Sequence, residues 1–258
     1  MFKFYDIEQN TDIWLNHRGG KLTSSKLGVI MATNNDYSIF TLGKESFAIA
    51  DNKVKKLLKS RFSLKIDAEH ELKTMEEKGL KKAFTAVASK YASNIALEQV
   101  TGKPIISGYS NDHMQRGHEQ EPQAVMLYEE QTFCTVSNGG FFGSDFVGSS
   151  PDGLVYDDGV IEVKSVISNI HYDNVKRQGV DPAYKWQHIG NLKFTGRKWI
   201  DFVSYCEDYP PGKQLFIHRL NKNDLTKEFE MIDIRVAEFK KLVDKCRINI
   251  LESKYDNY

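Results

Sequence analysis

Ser149-Ser150-Pro151-Asp152-Gly153-Leu154, followed after a turn by Val160-Ile161-Glu162-Val163-Lys164, decides how this 258-residue chain is read. Proline and glycine flank Asp152, so its carboxylate sits at a tight bend where the backbone exposes it. Asp157-Asp158-Gly159 is a strong hairpin turn and lays the two segments side by side. Side chains alternate along a strand, so Ile161 and Val163 face the core while Glu162 and Lys164 share the opposite face. The pattern gathers two carboxylates and one ammonium into a single cluster.

That cluster has a chemistry. Mg²⁺ takes hard oxygen ligands in near-octahedral geometry and keeps several waters. Asp152 and Glu162 can supply anionic oxygens and leave positions for a phosphate and a water. Lys164 can orient or deprotonate that water, or neutralise charge as the phosphate reacts. A donor set without His or Cys favours Mg²⁺ or Mn²⁺ over zinc. Taken singly, an Asp in a Pro-Asp-Gly turn and a Glu-x-Lys on a strand are more often structural. It is the hairpin between them that makes a site.

Outward from this stretch the period is that of strands. Phe133–Val136, Phe146–Gly148, Leu154–Tyr156, Val160–Val166, Trp199–Tyr205 and Leu215–Leu220 are short β-type runs broken by glycine or asparagine. A helical stretch over about Ala183–Thr195 interrupts them, as in an α/β or α+β sheet with a helix on one face. Residues 112–131 read as a helix, with Pro122 setting a boundary or kink. Residues 45–65 and 67–101 also look helical. The first carries Lys53, Lys55, Lys56, Lys59, Arg61 and Lys65 with no acid between them. That run is either a solvated helix face over Leu57, Leu58 and Phe62 or a flank that tracks phosphates. Leu225, Phe229, Ile232, Val236, Phe239, Val243, Cys246 and Ile250 form one apolar stripe on a long helix, with Asp224 available as its N-cap. The stripe suits a helix closing over its own core better than a coiled-coil partner.

Composition sets the outer limits. Hydrophobic residues make up 40% and aromatics 12%, enough for a packed core. No apolar run reaches the roughly 20 residues that span a bilayer, and Met1-Phe2-Lys3-Phe4 lacks the build of a secretory signal. Basic and acidic residues balance at 35 each, so any affinity for nucleic acid must come from a local groove. Cys134, Cys206 and Cys246 form no CxxC pair, which gives no sign of zinc or an iron–sulfur cluster and suits a reducing cytoplasm. Gly139-Gly140 lacks a following helix and a P-loop lysine, which speaks against a nucleotide site. With no repeat and no Pro/Ser-rich linker, a single domain over 1–258 is the simplest expectation.

Further motifs follow in chain order. Trp14 precedes Arg18 and then Thr23-Ser24-Ser25. Gly117-His118-Glu119-Gln120-Glu121 precedes a helix with Ala124 and Tyr128. Ser150 directly precedes Pro151-Asp152, and Tyr184-Lys185-Trp186-Gln187 opens a helix after the Glu-x-Lys strand. Together with P-D…(D/E)-x-K, this order and spacing resembles the lambda-type exonuclease family, phage recombination nucleases of the PD-(D/E)xK superfamily. The match runs from Trp14 to about Tyr205.

The resemblance implies a restriction-endonuclease-like core, a mixed central sheet flanked by helices. It implies that Asp152, Glu162 and the backbone carbonyl of Val163 bind the metal, Mg²⁺ with Mn²⁺ able to substitute. Lys164 would be the catalytic lysine, Glu121 the acidic helix residue and Gln187 the glutamine that positions the attacking water. Glu119 points elsewhere, two residues away along the helix. Arg18, Ser25 and Ser150 match the positions that hold a 5′-terminal phosphate. The family digests one strand of duplex DNA 5′→3′, leaves 3′ overhangs, assembles as a ring-shaped homotrimer and works with a single-strand annealing protein. A phage-encoded protein in the bacterial cytoplasm is the corresponding expectation. The alternatives are an endonuclease or DNA-repair nuclease of the same superfamily and a non-catalytic DNA-end-binding protein. Intact Asp152, Glu162 and Lys164 speak for an enzyme.

Overall fold

The computed structural model describes residues 2–32, 37–51, 57–77, 84–105 and 112–253. In chain order its elements are β1 (Lys3–Tyr5), α1 (Asp12–Arg18), β2 (Leu22–Thr23), a 3-10 turn (Ser24–Lys26), α2 (Leu27–Met31), β3 (Tyr37–Gly43), β4 (Ser46–Asp51) and β5 (Leu57–Phe62). Next come α3 (Lys65–Glu77), α4 (Ala86–Thr101), α5 (Asp112–Thr132), β6 (Val136–Asn138), β7 (Phe141–Gly143), β8 (Val147–Ser149), β9 (Gly153–Val155) and β10 (Gly159–Ser165). The chain finishes with α6 (Ser168–Arg177), α7 (Lys185–Thr195), β11 (Trp199–Tyr205), β12 (Leu215–Asn221), a 3-10 turn (Lys222–Leu225) and α8 (Thr226–Glu252). By internal contacts the chain divides into two compact units, residues 1–31 with 90–258, and residues 32–89.

The larger unit is built on a five-stranded mixed sheet in the order β12-β11-β10-β9-β6. The hairpin expected at Asp157–Gly159 is present, with β9 antiparallel to β10 and Ile161 opposite Gly153. β10 then runs parallel to β11, which pairs antiparallel with β12. Alternation along β10 divides the two faces as expected. Ile161 and Val163 pack with Ala124 and Tyr128 of α5 and with Val155, Val203 and Tyr205. Glu162 and Phe202 lie in register on the other side, and α7 covers them there, with His188 edge-on to Phe202 at 5.1 Å. The sheet is thus a layer between helices, as expected for a mixed central sheet.

A buried charge is held at the α5 interface. Tyr128, fully buried, donates through Oη to Asp201 Oδ2 at 2.7 Å, and Arg219 grips both oxygens of that carboxylate at 2.7 Å each. Arg219 also stacks on Trp199, 3.6 Å from the ring centre. Tyr128→Phe removes one hydrogen bond to a buried charge, so unfolding in urea should show a loss of about 1.5–3 kcal/mol. The site described below lies beyond this packing and should be unaffected.

A second sheet, β1-β7-β8-β2, sits in the same unit. Its β2–β8 pair is parallel, with Thr23 opposite Gly148. The Gly139-Gly140 pair serves close backbone approach, since a Cβ at Gly139 would lie 1.7 Å from the Pro151 carbonyl oxygen. α8 carries the expected stripe, with Ile232, Phe239 and Val243 fully buried. Arg235 is buried beside them and donates through Nε to the Ile30 carbonyl at 2.6 Å.

Several local expectations are corrected. Among the described residues of 45–64 no helix forms: β3, β4 and β5 make an antiparallel sheet in the smaller unit, with Ala48 and Ile49 buried, and a helix begins only at Lys65. Pairing with a neighbouring strand outweighs the helical look of a Lys/Leu-rich run. Lys59 is ion-paired with Glu71 of α3, while Lys53, Lys55 and Lys56 lie outside the described residues. The segment 67–101 holds two helices, α3 and α4, and residues 78–83 between them are outside the described set. Asp224 is not the cap of α8; it lies inside the preceding 3-10 turn, and Leu225 takes the N-cap position with no side-chain bond. Phe133 is not in β6, which begins at Val136; its φ of 54° and 91% exposure mark the end of α5. α6 was not foreseen from the sequence. Among the described residues, no helix is long and apolar enough to cross a membrane.

Candidate active site

The parallel β2–β8 pair ends at a cleft of about 990 Å³, and so do β10 and the first turns of α5 and α7. Continuing the β2–β8 register sets Ser24 beside Ser149, with Ser24 Oγ donating to Ser149 Oγ at 3.3 Å. The next residues, Ser25 and Ser150, both line the cleft. Asp152 follows at the bend, and its Oδ2 accepts the backbone N–H of Val163 at 2.7 Å. That bond ties the Pro-Asp turn to β10 and sets the two carboxylates on neighbouring segments.

Glu162 is 2% exposed, an unusual place for a charge, and its oxygens are occupied. Oε1 accepts from Lys164 Nζ at 2.7 Å and from Gln187 Nε2, and Oε2 accepts from Asn191 Nδ2 at 2.5 Å. Lys164 also lies over the Tyr184 ring, 5.0 Å from its centre. Burial would lower the Lys164 pKa, but the Glu162 and Asp152 carboxylates outweigh it and hold the ammonium above its usual range. Burial and the neighbouring Glu162 push the Asp152 carboxyl well above the normal carboxylate range. Two desolvated carboxylates and one ammonium leave an excess of negative charge.

The donor chemistry fits a hard divalent cation. Asp152 and Glu162 offer carboxylate oxygens, and Val163, next to Glu162 on β10, lines the same cleft. No cluster of three or more His, Cys, Asp or Glu side chains that could hold a metal occurs among the described residues. With two carboxylates to offer, the site would leave much of an octahedral sphere to water, as Mg²⁺ accepts and zinc seldom does.

Glu121 and Gln187 both reach the cleft. Glu121 continues the inward face of α5 that carries Ala124 and Tyr128, while Glu119 is exposed and accepts from Gln115 Nε2 at 2.8 Å. Burial, then the Glu162 charge, raise the Glu121 carboxyl pKa, with His118 and Lys164 opposing.

Arg18 ends α1, one turn after Trp14, and stacks on the indole at 4.1 Å. Burial lowers its guanidinium pKa, and Tyr91, Glu98 and Glu162 act against that shift. Trp14 donates through Nε1 to Ser150 Oγ at 2.8 Å. Arg18, Ser25 and Ser150 thus line the same cleft as Asp152, Glu162 and Lys164. Asn191, one turn after Gln187 on α7, belongs to the site without being marked by any sequence motif: it is fully buried and reaches Glu162. Arg116 also lines the cleft and donates to the Ser165 carbonyl at 3.4 Å.

The profile of the YqaJ-like viral recombinase domain matches residues 13–198, which takes in Arg18, Ser25, Glu121, Ser150, Asp152, Glu162, Lys164 and Gln187. The chain belongs to the YqaJ-like viral recombinase family. Solved structures agree with that membership. An alkaline exonuclease, LHK-Exo, from Laribacter hongkongensis superposes with a TM-score of 0.66 at 24% identity, over 93% of this chain and 96% of that one. The same LHK-Exo in complex with dAMP gives 0.64 at 26% identity, covering 94% and 99%. A phage-related exonuclease from Haemophilus somnus 129PT gives 0.57 at 17% identity, covering 89% and 96%. No match is found among the curated proteins. The fold of this viral recombinase domain is that of the alkaline exonucleases of the PD-(D/E)xK type, as the sequence motifs imply.

Proposed function

We propose that the chain is a Mg²⁺-dependent 5′→3′ exonuclease that digests one strand of linear double-stranded DNA and leaves 3′ single-stranded overhangs for recombination. Support comes above all from one observation: Asp152, Glu162 and Lys164 share a cleft with Arg18, Ser25 and Ser150. Family membership and the exonuclease identity of LHK-Exo point the same way, and LHK-Exo binds dAMP, a mononucleotide of the kind such digestion releases.

Asp152, Glu162 and the Val163 carbonyl would hold the metal. When bound, Mg²⁺ polarises the scissile phosphate and makes a water a better nucleophile at neutral pH. Gln187, beside Glu162, orients that water, and Glu121 adds an acceptor from the facing helix. Lys164 sets a positive charge where negative charge develops on the phosphate oxygens. Water attacks phosphorus, and the 3′-oxygen of the terminal nucleotide leaves with the bonding electrons. The product strand then begins with a new 5′-phosphate, which Arg18, Ser25 and Ser150 can grip for the next cut. As in the family it resembles, the protein would act as a ring-shaped trimer in the cytoplasm of a phage-infected bacterium, handing its overhang to an annealing protein. Sedimentation should show a trimer of the 29.6 kDa chain, and digestion should be processive. A monomer would remove the ring from this account and leave the chemistry.

End recognition has its own test. A planar guanidinium can hold a terminal phosphate through two parallel hydrogen bonds, which an internal diester satisfies less well. Wild type should prefer 5′-phosphate over 5′-hydroxyl ends and spare a sealed circle. Arg18→Ala should shrink the preference, and Arg18→Lys should recover part of it by restoring charge without the fork. A strong preference that survives in Arg18→Ala, or steady cleavage of a circle, would contradict the assignment.

A further inference from the structure

A line of buried hydrogen bonds leads into the site from the serine turn. Ser24 Oγ donates to Ser149 Oγ at 3.3 Å, and Ser149 Oγ donates to Asn191 Oδ1 at 2.8 Å. Asn191 Nδ2 donates to Glu162 Oε2 at 2.5 Å. Exposure along this line is 2%, 0%, 0% and 2%, so water competes with none of these bonds. A carboxylate only accepts, which fixes the Asn191 amide with its nitrogen towards Glu162 and its oxygen towards Ser149. Every donor therefore points the same way, from the turn that carries Ser25 to the charge on Glu162.

The backbone is shaped for this approach. A Cβ on Gly190 would fall 2.2 Å from Leu27 Cδ1 and 3.2 Å from Ser24 Cβ, so a larger residue there would need the Leu27 side chain to move for α7 to stay this close to the Ser24–Lys26 turn. Lys164 and Gln187 both reach Oε1 of Glu162, which leaves Asn191 the donor to Oε2.

We infer that Asn191 is a positioning residue: it fixes the plane of the Glu162 carboxylate for the metal and, through Ser149, ties that carboxylate to the turn bearing Ser25. This rests on the reading of Glu162 as a metal ligand. Partners that orient a ligating carboxylate typically change metal affinity by about 10–100-fold when removed.

The test is calorimetric titration of Mn²⁺ into the full chain without DNA, alongside thermal melts. Wild type should bind Mn²⁺, and Asn191→Ala should bind it about 10–100-fold more weakly. Tyr128→Phe is the control, because it loses stability on the far face of the sheet and should keep wild-type Mn²⁺ affinity. A drop in Tyr128→Phe equal to that in Asn191→Ala would reduce Asn191 to a fold residue and overturn the inference. Should Asn191→Ala fail to fold, Ser149→Ala carries the test by freeing the amide that Ser149 holds. Several-fold weaker Mn²⁺ binding is then expected, and wild-type affinity is the contrary result. If wild type binds and Asn191→Ala binds equally well, the positioning role is wrong and the metal reading stands. If wild type takes up no Mn²⁺, the metal reading falls and the inference falls with it.

Discussion

Lys164→Ala should lower the rate of DNA cleavage by about 10²–10³-fold, the usual cost of deleting one preorganised group that meets developing charge. The loss should appear in single-turnover rates on linear duplex, with Mn²⁺ binding retained. That separation follows from where Lys164 stands. Its ammonium is 2.7 Å from Glu162 Oε1, close enough to share a phosphate with the metal site yet supplying no ligand to it. Gln187 and Asn191 continue to hold Glu162 when the lysine is gone. Lys164→Arg keeps the charge but swaps a compact ammonium for a broad fork, so only partial recovery is expected. Near-normal turnover in Lys164→Ala would mean that the cluster has been misread.

Asp152→Ala should cost at least as much in rate, and here metal binding should be lost as well. Its carboxylate is one of two in the cluster, and few other protein oxygens are available to make up a missing charge. Asp152 Oδ2 also holds the Val163 N–H at 2.7 Å, so alanine frees the turn from β10. Asp152→Asn separates the two effects, because the amide oxygen can still accept that bond while the negative charge is gone. The asparagine variant should melt like wild type and still bind Mn²⁺ poorly. Equal Mn²⁺ affinity in wild type and Asp152→Asn would show that the metal is held elsewhere.

Much of the core of this site is legible in the sequence because local rules govern it. Asp157-Asp158-Gly159 can hardly avoid turning, and strand alternation then forces Glu162 and Lys164 onto one face and Ile161 and Val163 onto the other. Glu121 is separable from Glu119 for a similar reason, since only the former shares a helix face with Ala124 and Tyr128. What cannot be read locally is set by pairings between distant residues. β2 is two residues long, and its parallel partner β8 lies 125 positions further along the chain, from Ser24 to Ser149. Asn191 goes unmarked because its partner, Glu162, is a buried charge that helical periodicity never anticipates. The helix expected over 45–65 fails for the converse reason: β3, β4 and β5 supply one another with hydrogen bonds that no single segment reveals.

The central claim is that this cleft cuts DNA from a 5′ end with a divalent metal, and one measurement addresses it most directly. Linear duplex carrying a 5′-phosphate, labelled at the 3′ end of one strand in one sample and at the 5′ end in another, is incubated with the protein in Mg²⁺ or in EDTA. In Mg²⁺ the 5′ label should leave at once as a mononucleotide, while the 3′-labelled strand shortens progressively. In EDTA both labels should stay in full-length DNA, and added Mg²⁺ should restore digestion. Full activity in chelator, or early release of the 3′ label, would contradict the account.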